Sequence, residues 1–157
     1  MSIYVNNKMR IKRNADQHND MKRLLDAKIF TEFSQILVIS AILGYKQNQY
    51  KPIEKAHSDG VLMQFFSTKD CDIMDFIAFA YKKHQAIIKD DEKYDIFSAF
   101  ANGGFPILLK SLEVPDGDIS KDDARKAMKK YYRLLLTDGF IDLQENEEKE
   151  LEQDLFK

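Results

Sequence analysis

The chain is poor in the residues that staple, break or bend a fold: it has one cysteine, Cys71, no tryptophan, three prolines and six glycines in 157 residues. A single cysteine excludes an intramolecular disulfide and any multi-cysteine zinc site, and it fits a reducing compartment. With so little Gly and Pro there is no flexible linker and no internal repeat, so one core is expected for this length. Long hydrophobic runs are missing as well. The longest, Ile36 to Leu43, is broken by Ser40 and falls far short of a bilayer span. The first residues lack the apolar core of a signal peptide. A cytoplasmic protein without membrane contact is expected.

What is present suits a packed interior. The hydrophobic fraction is 44%, with 11 Phe and 7 Tyr, while 32% charged residues cover the surface. The net charge of −2 hides an asymmetry. Residues 1–30 carry seven Lys and Arg against three acids, and residues 138–157 carry eight acids against two lysines. A basic front can approach phosphates; an acidic tail can repel them, meet a basic partner or fold back on the front.

The periodicity predicts a mainly α protein of five or six helices with one or two short strands. Met9 and Ile11 alternate with Arg10 and Lys12, the period of a half-exposed strand over Lys8 to Asn14. Asn14 and Gln17 suggest a helix start, with Met21, Leu24 and Leu25 on one face as far as Ala27. Thr31 is placed to cap a second helix that is apolar nearly all round and must be buried, with Gly44 as its stop. A polar loop then leads to a strand candidate at Val61 to Phe66. A third helix from Asp70 or Asp72 to Lys89 is expected to bury Ile73, Phe76, Ile77, Ala80, Tyr81, His84, Ile87 and Ile88.

A fourth helix carries Tyr94, Phe97, Phe100 and Ala101 and is expected to end at Asn102-Gly103-Gly104, with Pro106 opening a short fifth. After the break at Pro115 to Asp118, Ser120 and Asp123 have the spacing of a capping box for a last helix. A short strand at Phe140 to Leu143 and an acidic tail follow. Residues 1–113 read as a helical domain, and 114–157 as a C-terminal helix and tail packed on it.

No catalytic residue, cofactor or metal set emerges. His57-Ser58-Asp59 has the residue types of a hydrolase triad, but three neighbours in a turn do not point at one site. His18, His57 and His84 are far apart in sequence and form no zinc pattern. Asp70, Asp72 and Asp75, like Asp90, Asp91 and Glu92, sit at helix starts, where acids favour the dipole. Gly103-Gly104 lacks the further glycines and the lysine of phosphate loops.

A basic strand followed by two helices is also the order of a ribbon-helix-helix module. In such a module two chains form a homodimer and lay their paired strands in the DNA major groove. On that reading Lys8, Arg10, Lys12 and Asn14 meet DNA, and the amides from Thr31 hold a phosphate, with Glu32 opposing it.

Several stretches together resemble a bacterial family, DNA phosphorothioation-associated protein 4. They are Ile29 to Phe33, Ala41 to Lys46, Lys51 to Ile53, Asp75 to Ala80 and above all Ile96 to Leu108 with its Ala-Asn-Gly-Gly motif. The similarity covers residues 10–113. Gly44, Asn102, Gly103 and Gly104 are its structural motif. The resemblance implies a place beside machinery that puts sulphur into the DNA backbone or restricts DNA lacking that mark. It implies an accessory, non-enzymatic role in antiviral defence, with the proteins of that machinery as partners and DNA contact left open.

Overall fold

The structure is a computed structural model that describes residues 4–137. After a first segment comes β1 (Arg10–Ile11), a 3-10 turn and α1 (His18–Asp26), then α2 (Phe33–Lys46). β2 (Val61–Leu62) follows a long loop and leads through a 3-10 turn into α3 (Thr68–Lys82). Another 3-10 turn, Gln85–Lys89, precedes α4 (Glu92–Leu112), and α5 (Lys121–Thr137) closes the described chain. The protein is therefore mainly α with one small antiparallel sheet, as its sequence predicts.

α2 and α4 form the centre. Both are apolar around most of their circumference, so each has to be covered on several sides. They approach at small residues. A Cβ on Gly104 would lie 1.7 Å from the Ser40 carbonyl oxygen, and one on Gly44 would lie 2.1 Å from that of Phe100. A Cβ on Gly103 would meet the Gln49 carbonyl at 2.0 Å, because the loop after α2 folds back on α4 there. Lys51 N donates to Ala99 O, and Asn102 Nδ2 donates to Lys51 O at 2.8 Å.

This seam corrects three expectations. Gly44 does not stop α2, Asn102-Gly103-Gly104 does not end α4, and Pro106 opens no new helix. The glycines are needed for close backbone approach rather than as caps. Pro106 sits inside α4, where it cannot donate to the carbonyl of Asn102 four residues back. Gln17 Nε2 supplies the missing donor at 3.0 Å, which lets the helix run through the proline.

α3 also differs. It starts at Thr68 behind a capping box between Ser67 and Asp70, and it ends at Lys82, capped by Lys83, whose φ of 64° is left-handed. His84 consequently lies outside the helix and is exposed, not on a buried stripe. The buried face is Cys71, Met74, Asp75, Ile77 and Ala78, and Phe76 and Tyr81 point out. Thr31 does not cap α2: Glu32 holds that position, while Thr31 N and Oγ1 both donate to Gln35 Oε1. Asn14 caps no helix either. Its side chain accepts from Lys55 N at 3.1 Å and donates to Asp16.

The capping box of α5 forms as its sequence predicts, Asp123 N donating to Ser120 Oγ and Ser120 N to Asp123 Oδ2. Ala124 and Ala127 join the same buried cluster as α2 and α4, and Tyr131 meets Phe30 edge-on at 4.7 Å. The strand expected at Phe140 to Leu143 and the acidic tail lie outside the described residues. Among the described residues no helix is long and apolar enough to cross a membrane.

Candidate functional site

β1 pairs antiparallel with β2, Arg10 opposite Leu62 and Ile11 opposite Val61. The ribbon that the sequence left for a second copy thus has its partner within one chain. Along it, alternation holds: Lys8, Arg10 and Lys12 are exposed, while Ile11 and Arg13 turn inward. Arg10 Nη1 donates to Gly60 O at 3.2 Å. Asn14 is committed to the Lys55 loop and so stands apart from this basic row.

The inward register carries Arg13 into the protein, where it is only 2% exposed. Its guanidinium carbon lies 4.3 Å above the Phe33 ring. Nη1 donates to Asp59 O, and Nη2 lies 3.0 Å from His18 Nδ1 and 3.3 Å from His57 Nδ1. A guanidinium has only donors, so both imidazoles accept through Nδ1 and carry their proton on Nε2. The two rings stack at 4.0 Å. Burial, then the neighbouring His57 and Arg13, push the His18 pKa down, which favours its neutral form. Among the described residues none of Arg13's partners is a carboxylate, and its buried Nε has no acceptor. Burial lowers its pKa, against the nearby Asp59 charge.

Beside Arg13 opens a cleft of about 440 Å³. Arg10, Arg13 and Gly60 to Leu62 line one side, and Thr31 to Ser34 at the start of α2 line the other, with Leu25 and Phe65 completing it. The structure therefore brings Arg10 and Thr31 together, with Arg13 between the elements that carry them. No side chain caps the first amides of α2. Ser34 Oγ donates to Glu32 Oε2 at 3.2 Å, which keeps one acid at the rim. The alternation that buries Ile11 also turns Arg13 inward, although a charged residue there ordinarily faces solvent.

The other candidates are occupied by structural contacts. His57 Nδ1 also accepts from Asp59 N, so His57-Ser58-Asp59 forms a turn and no proton relay. Asp70 caps α3, Tyr4 and Asn6 both donate to Asp91, and Glu92 pairs with Lys82 at 2.8 Å. Asp75 receives Lys93 Nζ at 2.8 Å. Burial, together with Asp70 and Asp75, pushes the Cys71 thiol up and away from the reactive thiolate. Among the described residues no group of three or more His, Cys, Asp or Glu could hold a metal ion.

A second surface stands out. Four large apolar side chains remain exposed among the described residues, and three are on α3: Phe76 at 62%, Phe79 at 40% and Tyr81 at 42%. Phe76 meets Tyr45 edge-on, and Tyr81 stacks on Tyr50 at 4.6 Å and abuts Phe100. Phe76 and Tyr81 are thus exposed yet held in place.

Compared with known proteins, residues 10–154 match the model of a family described as DNA sulphur modification system-associated protein 4. The match takes in residues 114–154, which the sequence resemblance left without a counterpart. No curated protein and no solved structure matches the chain.

Proposed function

Because the chain belongs to the DNA sulphur modification system-associated protein 4 family, we propose that it is a non-enzymatic accessory subunit of that system. It works in the bacterial cytoplasm, in defence against phage, by holding a protein component of the modification or restriction machinery. The observation that carries this reading is the exposed pair Phe76 and Phe79, three residues apart and so on one side of α3. A small domain that buries Phe30, Phe97, Phe100 and Phe105 leaves Phe76, Phe79 and Tyr81 in water. Exposed aromatic groups in fixed positions are the usual anchors of protein interfaces. The capping box at Ser67 and the Asp75–Lys93 pair fix α3 to the core, so its outer face is presented rigidly.

The test is copurification from the native operon. Tagged wild-type protein is expected to bring down another protein of the system, and the Phe76→Ser/Phe79→Ser variant to lose it while unfolding at an unchanged midpoint. Recovery of the lone protein, with phage defence intact after deletion of its gene, overturns the reading.

Direct DNA contact is a second reading, favoured by the exposed row Lys8, Arg10 and Lys12. With the ribbon completed inside one chain, it needs no homodimer. Binding through these cations must weaken steeply as salt rises, since each neutralised phosphate releases counterions. A mobility-shift series across salt reads this directly.

A further inference from the structure

We propose that the cleft between β1 and the start of α2 receives one singly charged phosphodiester of a DNA backbone, and prefers it with sulphur in place of an oxygen. The proposal rests on the family premise but not on the exposed pair Phe76 and Phe79 of α3, so each can fail alone.

Three independent features converge on an anion. Arg13 is a buried cation whose partners among the described residues include no carboxylate and whose Nε lacks an acceptor there. A buried charge without a carboxylate in contact is costly, and an anion in the cleft that Arg13 lines relieves that cost. Arg10, exposed at the rim, supplies a second cation. The start of α2, a helix of 14 residues without a side-chain cap, supplies amides and the positive end of its dipole.

The rest of the lining selects among anions. Glu32 and Asp59 offset much of the charge of the two arginines, leaving mainly the first amides of α2 and their dipole as positive potential, so a diester with one charge is better accommodated than a dianion such as a phosphate monoester. Phe33 and Phe65 give the cleft an aromatic wall. Sulphur is soft and polarisable, sits favourably against aromatic rings, and accepts hydrogen bonds weakly. A backbone oxygen turned to the same wall loses water hydrogen bonds without replacement. The arginines and amides are thus suited to the oxygen of a phosphorothioate, and the wall to its sulphur.

The experiment is fluorescence anisotropy on the full chain with two duplexes of one sequence, differing in a single phosphorothioate linkage. The sulphur-bearing duplex is expected to bind about tenfold more tightly, the equivalent of one hydrogen-bond-sized difference. Arg10→Ala should weaken binding and Glu32→Gln should strengthen it, both at exposed positions where folding is not at stake. Phe65→Ser should reduce the preference for sulphur. Equal affinity for the two duplexes overturns the proposal, as does indifference to both Arg10→Ala and Glu32→Gln. Displacement of the duplex by free thiophosphate at matching concentration also overturns it, because the cleft would then read an isolated anion instead of a backbone.

Discussion

Two cations are buried almost equally in this molecule, Lys93 at 1% exposure and Arg13 at 2%, yet their surroundings differ in kind. Lys93 has three donors and three acceptors to match: Asp75 Oδ1, Ile88 O and the carbonyl of Tyr4. Through them it ties α4 to α3, to the turn before α4 and to the N-terminal segment, where Asn6 N also donates to Tyr94 Oη at 2.8 Å. No water-sized space remains around it. Arg13 has five donors and, among the described residues, no carboxylate partner, one orphan N–H and a cleft of about 440 Å³ beside it. A charge buried and fully matched holds a fold together. A charge buried beside a cleft with no carboxylate in contact leaves room, on the proposal above, for an anion.

If that contrast is right, the two residues respond unequally to replacement by methionine, which keeps a somewhat shorter unbranched stem and removes the charge. Lys93→Met should cost about 3–5 kcal/mol, because it removes a charged donor shared by the Asp75 carboxylate and two carbonyls in a closed space. Urea unfolding measures it, and a loss under about 1 kcal/mol would mean the pair contributes little. Arg13→Met should change stability by no more than about 1 kcal/mol in either direction. Lost bonds to Asp59 O, His18 and His57 are offset by relief of the buried charge, and methionine can still pack on Phe33. Destabilisation near that of Lys93→Met would break the comparison and make Arg13 a structural residue.

The same pair shows what could be read in the sequence. The ribbon's alternation was legible, and it placed Ile11 inside; Arg13 shares that register, but a charged residue two positions on reads as surface. Asp75 and Lys93 are 18 positions apart, so no local pattern pairs them, and an acid near a helix start has a sufficient local explanation. Local devices were readable where the chain uses them locally, as at Ser120 and Asp123. They misled where tertiary packing overrode them. Gly44, Gly103 and Gly104 have the composition of helix ends, and only the meeting of α2 with α4 makes them interior residues. Pro106 breaks a helix in isolation; Gln17, distant in sequence, repairs it. The apolar stripe of α3 was misassigned because its buried face includes Asp75 and its exposed face includes Phe76 and Tyr81. A binding surface of this kind disguises itself as core.

The smallest expected effect distinguishes the two corners by pH. His18 keeps its Nδ1 lone pair for Arg13, and burial first, then His57, Arg13 and Lys22, lower its pKa, with Asp59 opposing. Below the ordinary histidine value the unfolded chain therefore binds a proton that the folded chain resists. The stability this group contributes is complete above about pH 6.5 and is lost as pH falls from there through the lower folded value. The Lys93 corner contains no imidazole. The urea midpoint of the wild type should accordingly fall between about pH 7 and 5 more steeply than that of His18→Asn. Arg13→Met should lie between them, since removing the cation leaves the burial of His18 in place. If His18→Asn keeps the wild-type slope, the proton is taken up elsewhere, and the imidazole pair does not sense the buried charge.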